Sequence, residues 1–185
     1  IWLWGEGTKP ALDSFEEKFH KKGSMISAVD LLKGIAICAD MNSVDVDGAT
    51  GYIDTNFEGK CKAAIEEFKN GQDLVYIHVE APDECGHRGE INRKVKAIEM
   101  LDTVLTFVVN GLRARGEDYG VLIMPDHPTP IPTGTHSSAP VPYCIYYSNN
   151  ERTSSVTNLC EKQAEATGVV QQVGYELLER FFKGV

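Results

Sequence analysis

Two short, almost uninterrupted apolar runs, Asp73–Val79 (DLVYIHV) and Tyr119–Met124 (YGVLIM), flank a long stretch of helical periodicity. This strand–helix–strand unit constrains the fold more than any other feature of the chain. An apolar run without alternation is how a strand covered on both faces of a parallel sheet reads. Between the runs, Ile91, Val95, Ile98, Leu101, Leu105, Val108 and Leu112 recur at three- and four-residue intervals, which predicts one amphipathic helix. Parallel strands need such a crossover. The two runs are therefore expected to be central strands.

The flanks extend the same alternation. Ile1–Trp4 reads as a buried strand closed by Gly5 and Gly7, and Asp13–Lys22 as a polar helix. Ser24–Val29 reads as a strand leading into a helix over Leu31–Ala39, Ser43–Val46 as a strand closed by Asp47 and Gly48, and Gly59–Phe68 as a helix. Val141–Tyr147 is a further strand and Val169–Phe182 a closing amphipathic helix. The pattern predicts a three-layer α/β/α sandwich with a mainly parallel sheet. With 185 residues, 42% of them hydrophobic, and no repeat or linker, one core is expected.

Lys and Arg total 18 against 27 for Asp and Glu, and the net charge of -9 argues against nucleic acid or an anionic membrane as partner. An acidic chain that handles phosphate needs local cations, which makes metal ions plausible. Five widely spaced cysteines without a C-x-x-C pair predict reduced thiols rather than disulfides or a zinc ribbon. Neither a membrane span nor a signal peptide is visible, so a cytoplasmic location is expected. The start at Ile1, inside an apolar run, suggests a sequence that begins mid-protein.

Three segments hold candidate ligands, two of them just past predicted strands, where open α/β sheets place their sites. Asp83 and His87 stand four apart in APDECGH, with Gly86 allowing close backbone approach. Asp126 and His127 follow VLIMP, and successive side chains at a strand end diverge, toward two neighbouring ions in this reading. His136 lies in a Pro- and Gly-rich loop with too few apolar residues to bury it comfortably. Each piece alone reads as a cap, a turn or a surface residue; together they predict a metal site. Mixed oxygen and nitrogen donors suit Mn²⁺, Zn²⁺, Fe²⁺ or Co²⁺ better than Ca²⁺, and paired ions clamp a transferring phosphoryl group. Cys85 reads as packing, His78 as a locally hydrogen-bonded strand residue and His20 as solvated.

The order APDECGH, PDH and THSSAPVPY resembles the metal-binding signature of cofactor-independent phosphoglycerate mutases of the alkaline phosphatase superfamily. IWLWGEG and GATGYIDTNFEGK resemble the archaeal-type branch. The resemblance implies an alkaline-phosphatase-like fold and two divalent ions, Mn²⁺ first, with Zn²⁺, Co²⁺ or Mg²⁺ possible. Asp83, His87 and His136 would ligate one ion, and Asp126 and His127 would contribute to the other. It implies interconversion of 3- and 2-phosphoglycerate, an isomerase reaction of glycolysis, through a phosphorylated serine.

The Asp and Ser that the family supplies near its N-terminus have no match, because Asp13-Ser14 reads as a helix start. Residues 1–185 are thus expected to be the C-terminal portion of the phosphotransferase domain, without the nucleophile segment and the inserted cap, and inactive alone. Lys60 resembles a catalytic lysine beside the phosphoryl group, and is otherwise a solvated helix-start residue. Arg88 is either a second phosphate contact or a surface arginine. Another phosphotransferase or phosphohydrolase activity on the same scaffold, or a non-catalytic folded fragment, is the alternative.

Overall fold

The computed structural model describes residues 7–184, so the strand expected at Ile1–Trp4 lies outside the described residues. In chain order the elements are α1 (Phe15–Phe19), β1 (Gly23–Ile26), α2 (Asp30–Cys38), β2 (Asn42–Val44), α3 (Phe57–Lys69) and β3 (Leu74–Ile77). They continue with α4 (Ala81–His87), α5 (Ile91–Arg115), β4 (Gly120–Ile123), β5 (Cys144–Tyr147), α6 (Glu161–Ala166), a 3₁₀ turn (Gly174–Glu176) and α7 (Leu177–Lys183).

Local chemistry accounts for several boundaries. Asn56 caps α3: its side-chain oxygen accepts from the Gly59 N–H at 2.8 Å while its amide donates to the Asp47 carbonyl at 2.8 Å. Gly116, at φ 72°, closes α5 in the left-handed conformation that only glycine adopts freely.

β1 is buried along its whole length and pairs in parallel with β2 on one side and β3 on the other, Ser24 facing Asn42 and Val75. The chain moves one way across this sheet from β1 to β2 and the opposite way from β2 to β3. Right-handed crossovers then put α2 and α3 on opposite faces, the expected sandwich. The main core lies between α3 and α5, where Phe57, Cys61, Val104, Val108 and Leu112 are buried with Ile65, Phe68, Ile77 and Val79 packed against them.

Three expectations need correction. The central strand is β1, whereas β3 pairs only with β1 among the described residues. β4 forms a separate antiparallel ladder with β5, Leu122 facing Ile145. Apolar continuity reports coverage of both faces and says nothing about which edge is paired.

The stripe on α5 is also only partly buried: Val108 and Leu112 meet α3, but Ile91, Val95 and Ile98 are 60%, 52% and 52% exposed. A repeat near 3.5 residues drifts by roughly 20° per heptad on a straight helix, so a long stripe turns away from a single partner. The helix expected over Val169–Phe182 starts only at Leu177. Ahead of it, Gly168 takes φ 69°, and Val169, Val170 and Tyr175 are exposed. α7 then seats Phe182 5.5 Å from the Phe19 ring and Phe181 5.8 Å from Tyr147.

The two ends of the α5 stripe should therefore respond differently to truncation. Leu112→Ala is expected to cost about 2–5 kcal/mol in urea unfolding, the usual range for a buried leucine. Ile98→Ala should stay within about 0.5 kcal/mol, as exposed substitutions do. Equal losses would contradict the assignment of the buried face.

Candidate metal centre

β3 feeds almost directly into α4, with Glu80 at its N-cap and Pro82 in the first turn. Pro is tolerated there because those N–H groups have no helical partner. Asp83 and His87 lie one turn apart on the same helix face, with Asp83 Oδ2 3.2 Å from His87 Nε2. The loop after β4 returns over them. His136 Nε2 stands 3.4 Å from Asp83 Oδ1 and 3.0 Å from His87 Nε2.

The His127 ring stacks on His136 with centroids 3.7 Å apart. Asp83, His127 and His136 accordingly offer donor atoms that all lie within 4.8 Å of one another. Asp126 sits at the rim, its side chain 72% exposed, with Oδ2 3.3 Å from His127 Nε2. All five residues that the sequence singled out as ligands thus occupy one neighbourhood.

Proton bookkeeping shows what this cluster is suited to hold. His87 Nδ1 lies 2.9 Å from the Gly134 carbonyl, a group that only accepts, so Nδ1 carries the proton and Nε2 presents a lone pair. That lone pair faces His136 Nε2 and the Asp83 carboxylate. Electron-rich atoms at these separations repel unless a proton or a cation lies between them. In a tetrahedral site with bonds of about 2.0–2.1 Å, neighbouring donors stand roughly 3.3–3.4 Å apart. The two imidazole nitrogens, 3.0 Å apart, stand 3.2 and 3.4 Å from different oxygens of Asp83, close to that span. A ring N–H held by a backbone carbonyl is also the usual second support of a metal-ligating histidine.

The surroundings are acidic, with one buried cation beneath. Lys60 is 1% exposed, and its ammonium donates to the His78 carbonyl at 2.9 Å just past the end of β3. It is therefore not the solvated helix-start lysine that its position allowed. Burial pushes the Lys60 ammonium below its ordinary value, partly opposed by Glu80. Burial likewise pushes Glu80 above the usual carboxylate range, reinforced by Glu84, Asp83 and Asp126. Glu80 Oε2 is buried without a hydrogen-bond partner among the described residues.

His78 finds its expected local bond, Nδ1 lying 3.1 Å from Ser27 Oγ, and burial lowers its pKa. Cys85 is fully buried, as a packing residue should be, and His20 is exposed. Arg88 stacks on Tyr52 at 4.4 Å and pairs with Glu84 at 3.3 Å. Together with Ala28, Val29, Gly51 and Glu80 these residues line a cavity of about 230 Å³ outside the carboxyl ends of the parallel strands.

The sequence missed Thr129, a buried residue whose hydroxyl donates to Asp83 Oδ1. Nothing in Pro-Thr-Pro signals that contact. Gly86, read as permitting close approach, does so: a Cβ there would stand 2.7 Å from the Thr129 carbonyl oxygen.

Residues 1–181 match the family model described as the metalloenzyme superfamily. A protein of Geobacter sulfurreducens named as a probable 2,3-bisphosphoglycerate-independent phosphoglycerate mutase is 46% identical over 180 residues, covering 97% of this chain and 45% of that protein. One of Methanothrix thermoacetophila, named as a 2,3-bisphosphoglycerate-independent phosphoglycerate mutase, is 51% identical over 146 residues, covering 78% of this chain and 37% of that protein. The solved structure of the PH0037 protein from Pyrococcus horikoshii superposes with a TM-score of 0.78 at 30% identity, over 86% of this chain and 48% of that one. The chain thus spans less than half the length of each of these relatives.

Glu80 yields a prediction for the metal-free protein. Its raised pKa means that folding penalises the ionised form. The penalty applies above the folded-state pKa, fades as the pH falls through it, and is gone below the unfolded value of about 4.3. With chelator present, Glu80→Gln should melt higher than wild type at pH 7, and the two curves should converge near pH 4. A lower melting temperature for Glu80→Gln at pH 7 would show that this carboxylate is satisfied as an anion.

Proposed function

The chain belongs to the metalloenzyme superfamily, and from that premise we propose that it forms most of the dinuclear metal centre of a cofactor-independent phosphoglycerate mutase. The reading is carried by the convergence of Asp83, His87 and His136 in a chain 46% identical to a protein bearing that name. In it, Asp83, His87 and His136 hold one divalent ion while Asp126 and His127 contribute to the second, Mn²⁺ being the first candidate. When bound, such ions act as Lewis acids that polarise phosphoryl oxygens and lower the pKa of an attacking hydroxyl.

The chain's own groups prepare that environment. The Gly134 carbonyl fixes the His87 tautomer, and the buried Lys60 ammonium offsets part of the carboxylate charge at the end of β3. Lys60 also remains our candidate for neutralising charge on the phosphoryl group. The substrate is a phosphorylated glycerate, the pathway glycolysis and the location the cytoplasm. No helix among the described residues is long and apolar enough to cross a membrane.

The phosphorylated serine and a further aspartate belong, in this reading, to a segment other than residues 1–185, as does the inserted cap. The ends of β3 and β4 serve one cluster, and among the described residues the two strands share no ladder. The exposed Ile91, Val95 and Ile98 on α5 offer apolar surface that a larger enzyme would cover.

Two measurements test the proposal. In calorimetric titration with Mn²⁺, Asp83→Ala should weaken binding at least about tenfold, since removing one protein ligand opens the site. Residues 1–185 alone should leave 3-phosphoglycerate unconverted, and Mn²⁺-dependent conversion should appear when the remaining part of the Geobacter sulfurreducens protein is co-expressed with them. Turnover by residues 1–185 alone would place the nucleophile within them and contradict the assignment.

A further inference from the structure

We propose that Thr129 is a positioning residue that couples the two halves of the metal centre, its hydroxyl orienting Asp83 and His127 together while Lys94 holds its backbone in place. The proposal rests on the metal-centre reading above and deepens it. Thr129 is 4% exposed and lies between Pro128 and Pro130, whose rings restrict the loop. A threonine hydroxyl has one donor and two acceptor positions. Its donor goes to Asp83 Oδ1. Its oxygen also stands 3.4 Å from His127 Nδ1.

With the hydroxyl proton committed to Asp83, the same oxygen is placed to accept from His127 Nδ1, the arrangement a metal ion between His127 Nε2 and Asp126 Oδ2, 3.3 Å apart, would require. One buried hydroxyl thereby touches both a carboxylate proposed for one ion and an imidazole proposed for the other, and orients the two together.

The backbone of Thr129 is secured separately. Lys94 extends from the first turn of α5 and donates to the Thr129 carbonyl at 2.7 Å. Both groups crowd the bare face of α4 at Gly86, where a Cβ would meet the Thr129 carbonyl oxygen at 2.7 Å and Lys94 Nζ at 2.8 Å. α4, α5 and the loop after β4 therefore meet at this threonine. Supports of this kind around ligating residues typically change metal affinity by about 10–100-fold when removed.

The test uses residues 1–185 with the metal alone: calorimetric titration with Mn²⁺, and the visible absorption of the Co²⁺-substituted protein as a report on ligand geometry. Thr129→Val keeps the shape and removes the hydroxyl, and should weaken Mn²⁺ binding about 10–100-fold with an altered Co²⁺ spectrum. Thr129→Ser restores the hydroxyl and should restore both readouts, which a purely structural role of the side chain would not require. Lys94→Met should weaken binding in the same direction with the hydroxyl still present, and it decides the matter if Thr129→Val does not fold.

Unchanged affinity and spectrum in Thr129→Val, or in Lys94→Met should the first be unfolded, would overturn the proposal while leaving the metal centre intact. Loss in Thr129→Ser equal to that in Thr129→Val would overturn it as well. Wild-type protein that binds neither ion would instead overturn the metal-centre reading on which the proposal rests.

Discussion

The Asp83 carboxylate is the point on which the site depends. Three residues from two parts of the chain reach it: His87 from the next turn of α4, and His136 and Thr129 from the loop after β4. The Asp83 carboxylate and the two imidazoles crowd together with few donors among them. A hydroxyl donates to the carboxylate directly, and one buried ammonium lies further below. Lys60 illustrates the balance, because its desolvation is offset partly by Glu80, whose own ionisation it eases.

Around that hub the scaffold is strong on one side and open on the other. β1, β2, β3 and the α3–α5 core form a continuous unit that fixes α4 rigidly. The half of the site carrying His127 and His136 instead hangs on β4 and β5, a ladder separate from the parallel sheet. Hydrogen bonds across the cluster, such as Lys94 to Thr129 and His87 to Gly134, tie the two halves together, with no shared strand among the described residues. A centre assembled in this way depends on side chains for its registration. Metal affinity should therefore be more sensitive to those few bonds than global stability is.

Much of this was legible in the sequence, and the misses have physical causes. Asp73–Val79 and Tyr119–Met124 identified themselves as strands because apolar continuity is local information, but the choice of ladder partner is not encoded locally. β1, a short run hidden before a helix, proved to be the central strand. The α5 stripe misled in its first half because periodicity marks an apolar face without saying what covers it. The five candidate ligands converged as expected, since strand ends and a single helical turn fix most of their positions. Thr129 and Lys94 were invisible because their partners lie 46 and 35 residues away in the chain. Lys60 was visible as a candidate, but its complete burial was not.

The central claim is that an ion belongs between Asp83, His87 and His136. Anomalous diffraction from crystals grown with Mn²⁺ measures this most directly, because the signal at the metal edge locates the ion without assumptions about its ligands. The account predicts a peak within about 2.0–2.3 Å of Asp83 oxygen and of Nε2 of His87 and His136, with any second peak beside His127. A Mn²⁺-saturated crystal whose anomalous density lies away from these three residues would contradict it.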